Sequence, residues 1–297
     1  MTRNSLKSFL IFHFLFIGIL AAEGGDKQSK LRRDVEKSGE KFVTASIQLS
    51  TGLIYINKAA ASKVFSGEFL FTERPPMVDY EVVGDEGQLR VKFTDKKNHK
   101  KHYAEENSEY NVDIDEVYDR ECYLSFSDQI PLALEMDLGV IKGEMDLGGL
   151  QLSDCKISTA VSKATMNFKD RNLRKLDNLN IENGVGKLQM YNLGNANFTE
   201  FVFEAGVGSY ELDFSGDFSD DAEATIEIGM GKLEIFLPRN IGVRIKIDQS
   251  FLSSLDIDEV YKDGDYYYND KWDSSAPKLD LNIDSGVAAV DIVWVDY

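Results

Sequence analysis

The sequence predicts an all-β protein, and from about residue 131 onward a parallel β-helix of seven to eight rungs. Three observations carry that expectation. Apolar residues alternate with polar ones over most of the chain, which is the period of a strand and not of a helix. A Gly-Val-Gly word, flanked on each side by an apolar-polar-apolar triplet, recurs every 21–24 residues. Two columns of the aligned copies are apolar every time, as stacking like rungs requires.

The first residues hold Arg3 and Lys7, then an apolar run from Phe9 to Ala22 broken only by His13 and Gly18. A basic start, a short apolar stretch and small residues near its end predict a secretory signal peptide over 1–22. The run is short for a membrane span of about 20 residues. Cleaved or retained as an anchor, it directs the chain out of the cytoplasm, to the periplasm or the cell surface. Residues 23–41 are polar and charged without apolar period and read as a linker.

Strand signals begin at Phe42 and continue through Ser46–Ile56, Gly67–Phe71, Val78–Val83 and Leu89–Phe93, with a turn at 84–87. The stretch 94–112 reads as a polar loop, and strands resume near Cys122. This β-rich N-terminal piece, 42–130, is expected to cap one end of the C-terminal repeats, 131–297. The two cysteines, Cys122 and Cys155, stand at inward positions of alternating runs. They read as buried small hydrophobes, with a disulfide the open alternative in an oxidising compartment.

The repeat is clearest at Gly184 and Gly186, Gly206 and Gly208, and Gly229 and Gly231. Weaker copies turn at Gly139, Ala160, Ser250 and Gly286, and Gly52 fits the word upstream. The glycines are expected at turns where a positive φ carries no Cβ penalty. The column just after the turn is Val140, Val161, Val185, Val207, Met230, Phe251 and Val287. The column three before it is Met136, Ile157, Ile181, Phe203, Ile226, Ile247 and Ile283. Both are expected inside one continuous core. Gly286 lies 36 residues beyond Ser250, so an insertion separates them. Around Lys262-Asp-Gly-Asp265 that insertion reads as a hairpin projecting near 256–278. In sequence order, the last rung, 279–295, would close the far end of the rod, blunted by Asp291, Trp294 and Asp296.

The words LEMDLGVIKGEMDLGGLQL (134–152), IENGVGKLQM (181–190), GNANF (194–198), EAGVGSYELDFSGDF (204–218), GMGKLEIFLPRNIGVRIKI (229–247) and LDLNIDSGVAAVDI (279–292) resemble the toast-rack domain proteins of bacteria. That family includes the cell-wall-active-antibiotic response regulators. The resemblance covers about 131–297, and more loosely 42–93. It implies a β-helical domain without known enzymatic activity. In some members it implies negative regulation of envelope-stress signalling from the membrane. Those members carry several membrane helices ahead of the domain, whereas this chain has one exportable segment.

The chemistry-bearing residues are few. The net charge of −18, from 33 basic and 51 acidic residues, disfavours nucleic acid and anionic lipid as partners. His99 and His102 sit among Lys96, Lys97, Lys100 and Lys101, which would repel a metal cation. The Gly-x-Gly words are followed by strands, not by the helix and Lys of a phosphate loop. The hexapeptide Asp-Ile-Asp-Glu-Val-Tyr occurs at 113–118 and 256–261, and its paired carboxylates fail EF-hand spacing. No clustered carboxylates suit glycoside chemistry. No catalytic, metal or cofactor residue is therefore assigned. Tyr266, Tyr267, Tyr268 and Trp272 form the candidate interaction surface, since Tyr and Trp anchor interfaces. The expected partner is another envelope protein. The functional expectation is an exported, non-enzymatic interaction protein linked to the envelope stress response. Its rivals are an adhesin-like surface rod and a carbohydrate-acting enzyme.

Overall fold

The computed structural model describes residues 19–20, 28–94, 120–248 and 254–296. Over these the protein is all-β. The one helical element among them is a 3-10 turn at Leu193–Ala196. Most of the signal segment, both paired histidines and the first copy of the repeated hexapeptide lie outside the described residues, as do the turn positions Ser250 and Phe251.

Seven long strands form the body. They are β3 (Phe42–Lys58), β8 (Leu132–Asp146), β9 (Leu152–Asn167), β10 (Leu176–Tyr191), β11 (Phe198–Asp213), β12 (Ala222–Pro238) and β17 (Lys278–Val295). Each pairs in parallel with the next of the seven, in that order. Like residues therefore lie over like residues. The column three before the turn runs Ile47, Met136, Ile157, Ile181, Phe203, Ile226, Ile283 and Ile247, each in Cα register with the next. All eight are buried, as the sequence predicts for Met136 to Ile283 and Ile247. Side chains of one column pack on each other at the strand spacing, about 4.8 Å. Aromatic rings thicken the middle of this core. Phe201 meets Phe214 edge-on at 5.8 Å, and Phe203 meets Tyr210 at 5.3 Å. Geometries of this kind add about 0.5–1.5 kcal/mol per pair beyond the area buried.

The short connections between long strands also bond from rung to rung, as in Leu147 N–H to the Asn167 carbonyl and Phe168 N–H to the Tyr191 carbonyl. Buried asparagines finish these corners. The Asn172 side chain accepts from Leu152 N–H and donates to the Leu152 carbonyl, both at 2.9 Å. Asn269 does the same for Val243 N–H and the Ile241 carbonyl.

Four expectations are corrected. First, residues 23–41 are not simply a linker: Ser29–Glu36 is a strand, β2, antiparallel to β4 (Lys63–Phe71). Its inward residues, Leu31 and Val35, are too few to show as a period among the charges.

Second, no break in the core falls at 130/131. β3 is itself a rung of the stack, and one buried cluster runs through both pieces. The register of that rung is also moved by two residues. Gly52 faces Ile141, and Thr51 faces Val140. On its other side β3 is covered by β6 (Glu86–Phe93) and β7 (Glu121–Phe126), with β5 (Met77–Val83) outside β6. The predicted turn after β5 is present, with Gly84 at φ 65°.

Third, β17 is not the terminal rung. It inserts between β12 on one side and β13 (Gly242–Ile247) and β14 (Ser254–Ile257) on the other. Trp294 does not blunt an edge. It is buried, and its indole N–H donates to the Asp258 carbonyl at 2.8 Å, pinning the bend after β14.

Fourth, the column just after the turn faces solvent. Val185, Val207, Met230 and Val287 are 49%, 47%, 51% and 55% exposed. The strand bends at the glycine before them. A one-residue offset at such a bend sends a side chain to the opposite face.

Candidate interaction surface

Two surfaces stand out on the stack, one at the bend and one at the hairpin. At the bend, the structure brings together all eight sequence-assigned glycines. Gly139, Gly184, Gly206, Gly229 and Gly286 form one column, and Gly186, Gly208 and Gly231 another. Positive φ accounts for only part of this. Gly186 and Gly231 have φ 140° and 133°. The first column owes its glycines to close backbone approach. A Cβ on Gly206 would stand 2.3 Å from the Gly184 carbonyl oxygen, and one on Gly286 would stand 2.2 Å from that of Gly229. Inside the bend a polar cluster replaces apolar packing. Asn183 Oδ1 accepts from Thr159 and Ser162 at 2.5 and 2.8 Å, and its amide donates to the Tyr210 hydroxyl at 3.4 Å.

Outside the bend runs an open groove of about 740 Å³. Its floor is the glycine column, and one wall carries Asp137, Ser158, Glu182, Glu204, Glu227 and Asp284. Glu182 is held by Lys156 at 2.8 Å and by Ser158 at 2.9 Å, which keep its carboxyl below the usual carboxylate range. Among the described residues no group of three or more His, Cys, Asp or Glu side chains is placed to hold a metal ion. Asp256 faces Asp291 across the β14–β17 pairing, without a third such ligand.

The hairpin is β15 (Tyr261–Asp263) and β16 (Tyr266–Tyr268), joined through Gly264 at φ 60°. β16 pairs antiparallel with β13, so the hairpin lies along the end of the stack. Tyr266, Tyr267, Tyr268 and Trp272 are all half-buried, where strict alternation expected one face in and one out. Tyr267, in register with the inward Ile245, packs against the core, and on the outer face the rings gather at Arg244 of β13. Its guanidinium sits 4.9 Å from the Tyr266 ring centre and 5.0 Å from that of Trp272, and it pairs with Asp280. Lys278 lies over the Trp272 ring at 4.7 Å, and Lys262 over Tyr267 at 4.7 Å. Tyr261 stacks on Tyr268 at 5.2 Å. Contacts of this type contribute about 0.5–1 kcal/mol each when exposed. Sequence reasoning found the aromatics and missed the cations. The alternating Arg244 and Lys246, outward on β13, were the available signal.

Cys122 and Cys155 are both buried and unjoined. Burial pushes each thiol up to about 12, so neither is a nucleophile at neutral pH. No helix of the described residues is long and apolar enough to cross a membrane.

None of the curated proteins compared with the chain matches it. Among solved structures, a candidate cell adhesion protein from Clostridium sporogenes ATCC 15579 is similar at 20% identity with a TM-score of 0.45. That match covers 91% of this chain and 100% of the other. A candidate adhesin from Bacteroides fragilis NCTC 9343 is similar at 8% identity with a TM-score of 0.29, covering 89% and 97%. A candidate lipid-binding protein from Parabacteroides distasonis ATCC 8503 follows at 11% identity and 0.28, covering 90% and 95%. The family model described as the N-terminal domain of toast_rack, DUF2154, matches residues 23–191 and again 178–236. The match takes in β2 to β7, the part whose resemblance was the looser in sequence. With its bent, in-register strands and glycine-floored turn, the chain belongs to the toast-rack DUF2154 family.

Proposed function

We propose that this chain is an exported, non-enzymatic scaffold of the cell envelope that acts by binding another envelope protein, in the setting of envelope stress. The observation that carries the reading is the hairpin. It interrupts an otherwise regular repeat and gathers three tyrosines and a tryptophan around Arg244 at one end of the stack. Half-exposed Tyr and Trp over cations supply large contact area at small entropic cost, which suits recognition. Rung-to-rung bonding of the connections supports reading the body as a wound coil, and right-handed winding follows the usual hand of parallel crossovers.

The test is a photo-crosslinking residue at Tyr261 or Trp272, introduced in the native cell. Capture of one membrane protein in stoichiometric yield is the expected result. Recovery of the protein at the cell surface, bound to glycan or matrix and with no protein captured, overturns it in favour of an adhesin-like rod. Turnover of a polysaccharide by the purified chain overturns the non-enzymatic part.

A further inference from the structure

The outward column at the bend is a continuous apolar ridge. Val140, Val161, Val185, Val207, Met230 and Val287 follow one another in Cα register across six strands. The last four are about half exposed. A contiguous apolar strip on a protein with 28% charged residues marks a contact site more often than chance. Its flanks differ in sign. Three residues before the ridge runs the acidic wall of the groove, with Asp137, Glu182, Glu204, Glu227 and Asp284. Two residues after it runs a basic column, with Lys142, Lys163, Lys187 and Lys232. The groove lies between ridge and acidic wall, so across the strip the order is acid, groove, ridge, lysine.

We propose that the strip is a self-association surface, on which a second copy of this chain docks about a two-fold axis parallel to the stack. That operation exchanges left and right while keeping height. Each ridge then enters the other copy's groove, whose glycine floor leaves room for it. At three of the six rungs an acid of one copy meets a lysine of the other, Asp137 against the partner subunit's Lys142, Glu182 against the partner subunit's Lys187 and Glu227 against the partner subunit's Lys232. A two-fold across the stack would set acid against acid, and is disfavoured by like-charge repulsion. An isologous contact of this kind is the commonest way a soluble chain pairs. The strip is about 24 Å long, from five strand spacings, and at most about 16 Å wide, from five residues. That is short of the roughly 800 Å² per partner of a standard interface, so the dimer is a reversible one.

Rung-matched disulfide trapping tests the geometry. Val185→Cys and Met230→Cys, made separately, should each trap a dimer with itself under mild oxidant, because each rung meets its own copy. The native Cys122 and Cys155 are buried and do not compete. Charge exchange tests the complementarity. Glu182→Lys with Glu227→Lys, and Lys187→Glu with Lys232→Glu, should each weaken the sedimentation dimer at least about tenfold. Mixing the two variants should restore pairing as a heterodimer. All four substitutions are on the surface, and circular dichroism checks that each variant is folded. A wild-type chain that stays monomeric to about 1 mM with neither cysteine variant trapped overturns the proposal. So does a dimer indifferent to both charge pairs.

Discussion

Asn172 offers the sharpest test of how the corners of the stack are held. It is 1% exposed, and it satisfies both backbone groups of Leu152, itself fully buried at the start of β9. Asn172→Ala removes the donor and the acceptor together and leaves a buried N–H and a buried C=O unpaired. Each orphaned group costs about 1–3 kcal/mol, so the loss for the two should be about 2–6 kcal/mol. A water entering the space would bring it to the lower end. The assay is urea unfolding followed by circular dichroism, with hydrogen exchange on β9 and β10 to locate the weakening, since a stack need not unfold in one step. Asn172→Asp separates hydrogen bonding from shape. As a neutral acid it restores both bonds, and as a carboxylate it sets charge against the Leu152 carbonyl. Its folded pKa is then raised, so its stability is full below the unfolded carboxyl value and lost as pH rises through the folded one. An Asn172→Ala protein within 0.5 kcal/mol of the parent, or an Asn172→Asp protein indifferent to pH, would refute the reasoning.

Other outcomes follow from the same geometry. Gly231→Ala should destabilise more than Gly39→Ala, because its Cβ would stand 1.9 Å from the Gly208 carbonyl whereas nothing lies within 4 Å of one on Gly39. The two positions carry similar positive φ, 133° and 116°, so the difference in urea midpoint isolates the close approach. Cys122 and Cys155 should resist a thiol reagent at pH 8 in the native protein and react fully in urea; rapid native labelling would contradict their burial. Burial opposes the charge on Asp34, but hydrogen bonds from Lys63 and Ser66 outweigh it and hold its carboxyl below the usual value. Its contribution is therefore present above the unfolded pKa of about 4 and lost as pH falls through the lower folded value. Carboxyl NMR titration should show Lys63→Met moving it upward.

Much of the strand content was legible in sequence because alternation has a physical period, and a repeat exposes that period several times over. Met136, Ile157, Ile181, Phe203 and Ile226 could be placed in the core because their column is apolar in every copy while the residue after each, Asp137, Ser158, Glu182, Glu204 or Glu227, is polar or charged. The hairpin showed itself through Lys262-Asp-Gly-Asp265, whose glycine adopts the positive φ such a turn needs. The cation cluster did not, since Arg244 and Lys278 reach Tyr266 and Trp272 only after β13, β16 and β17 pair.

The sequence by itself determined the all-β class, the recurring strand words and the inward column, because each is a local consequence of side-chain alternation along one strand. Only the tertiary structure decided three things. It turned Val185, Val207, Met230 and Val287 outward, because the bend at the glycine shifts the alternation by one residue. It joined β2 to β4, because a strand with two inward residues is specified by its neighbour more than by itself. It set β17 between β12 and β13, because a parallel strand pairs through backbone groups that every rung presents alike, and which neighbour it takes is settled by the path of the chain in space.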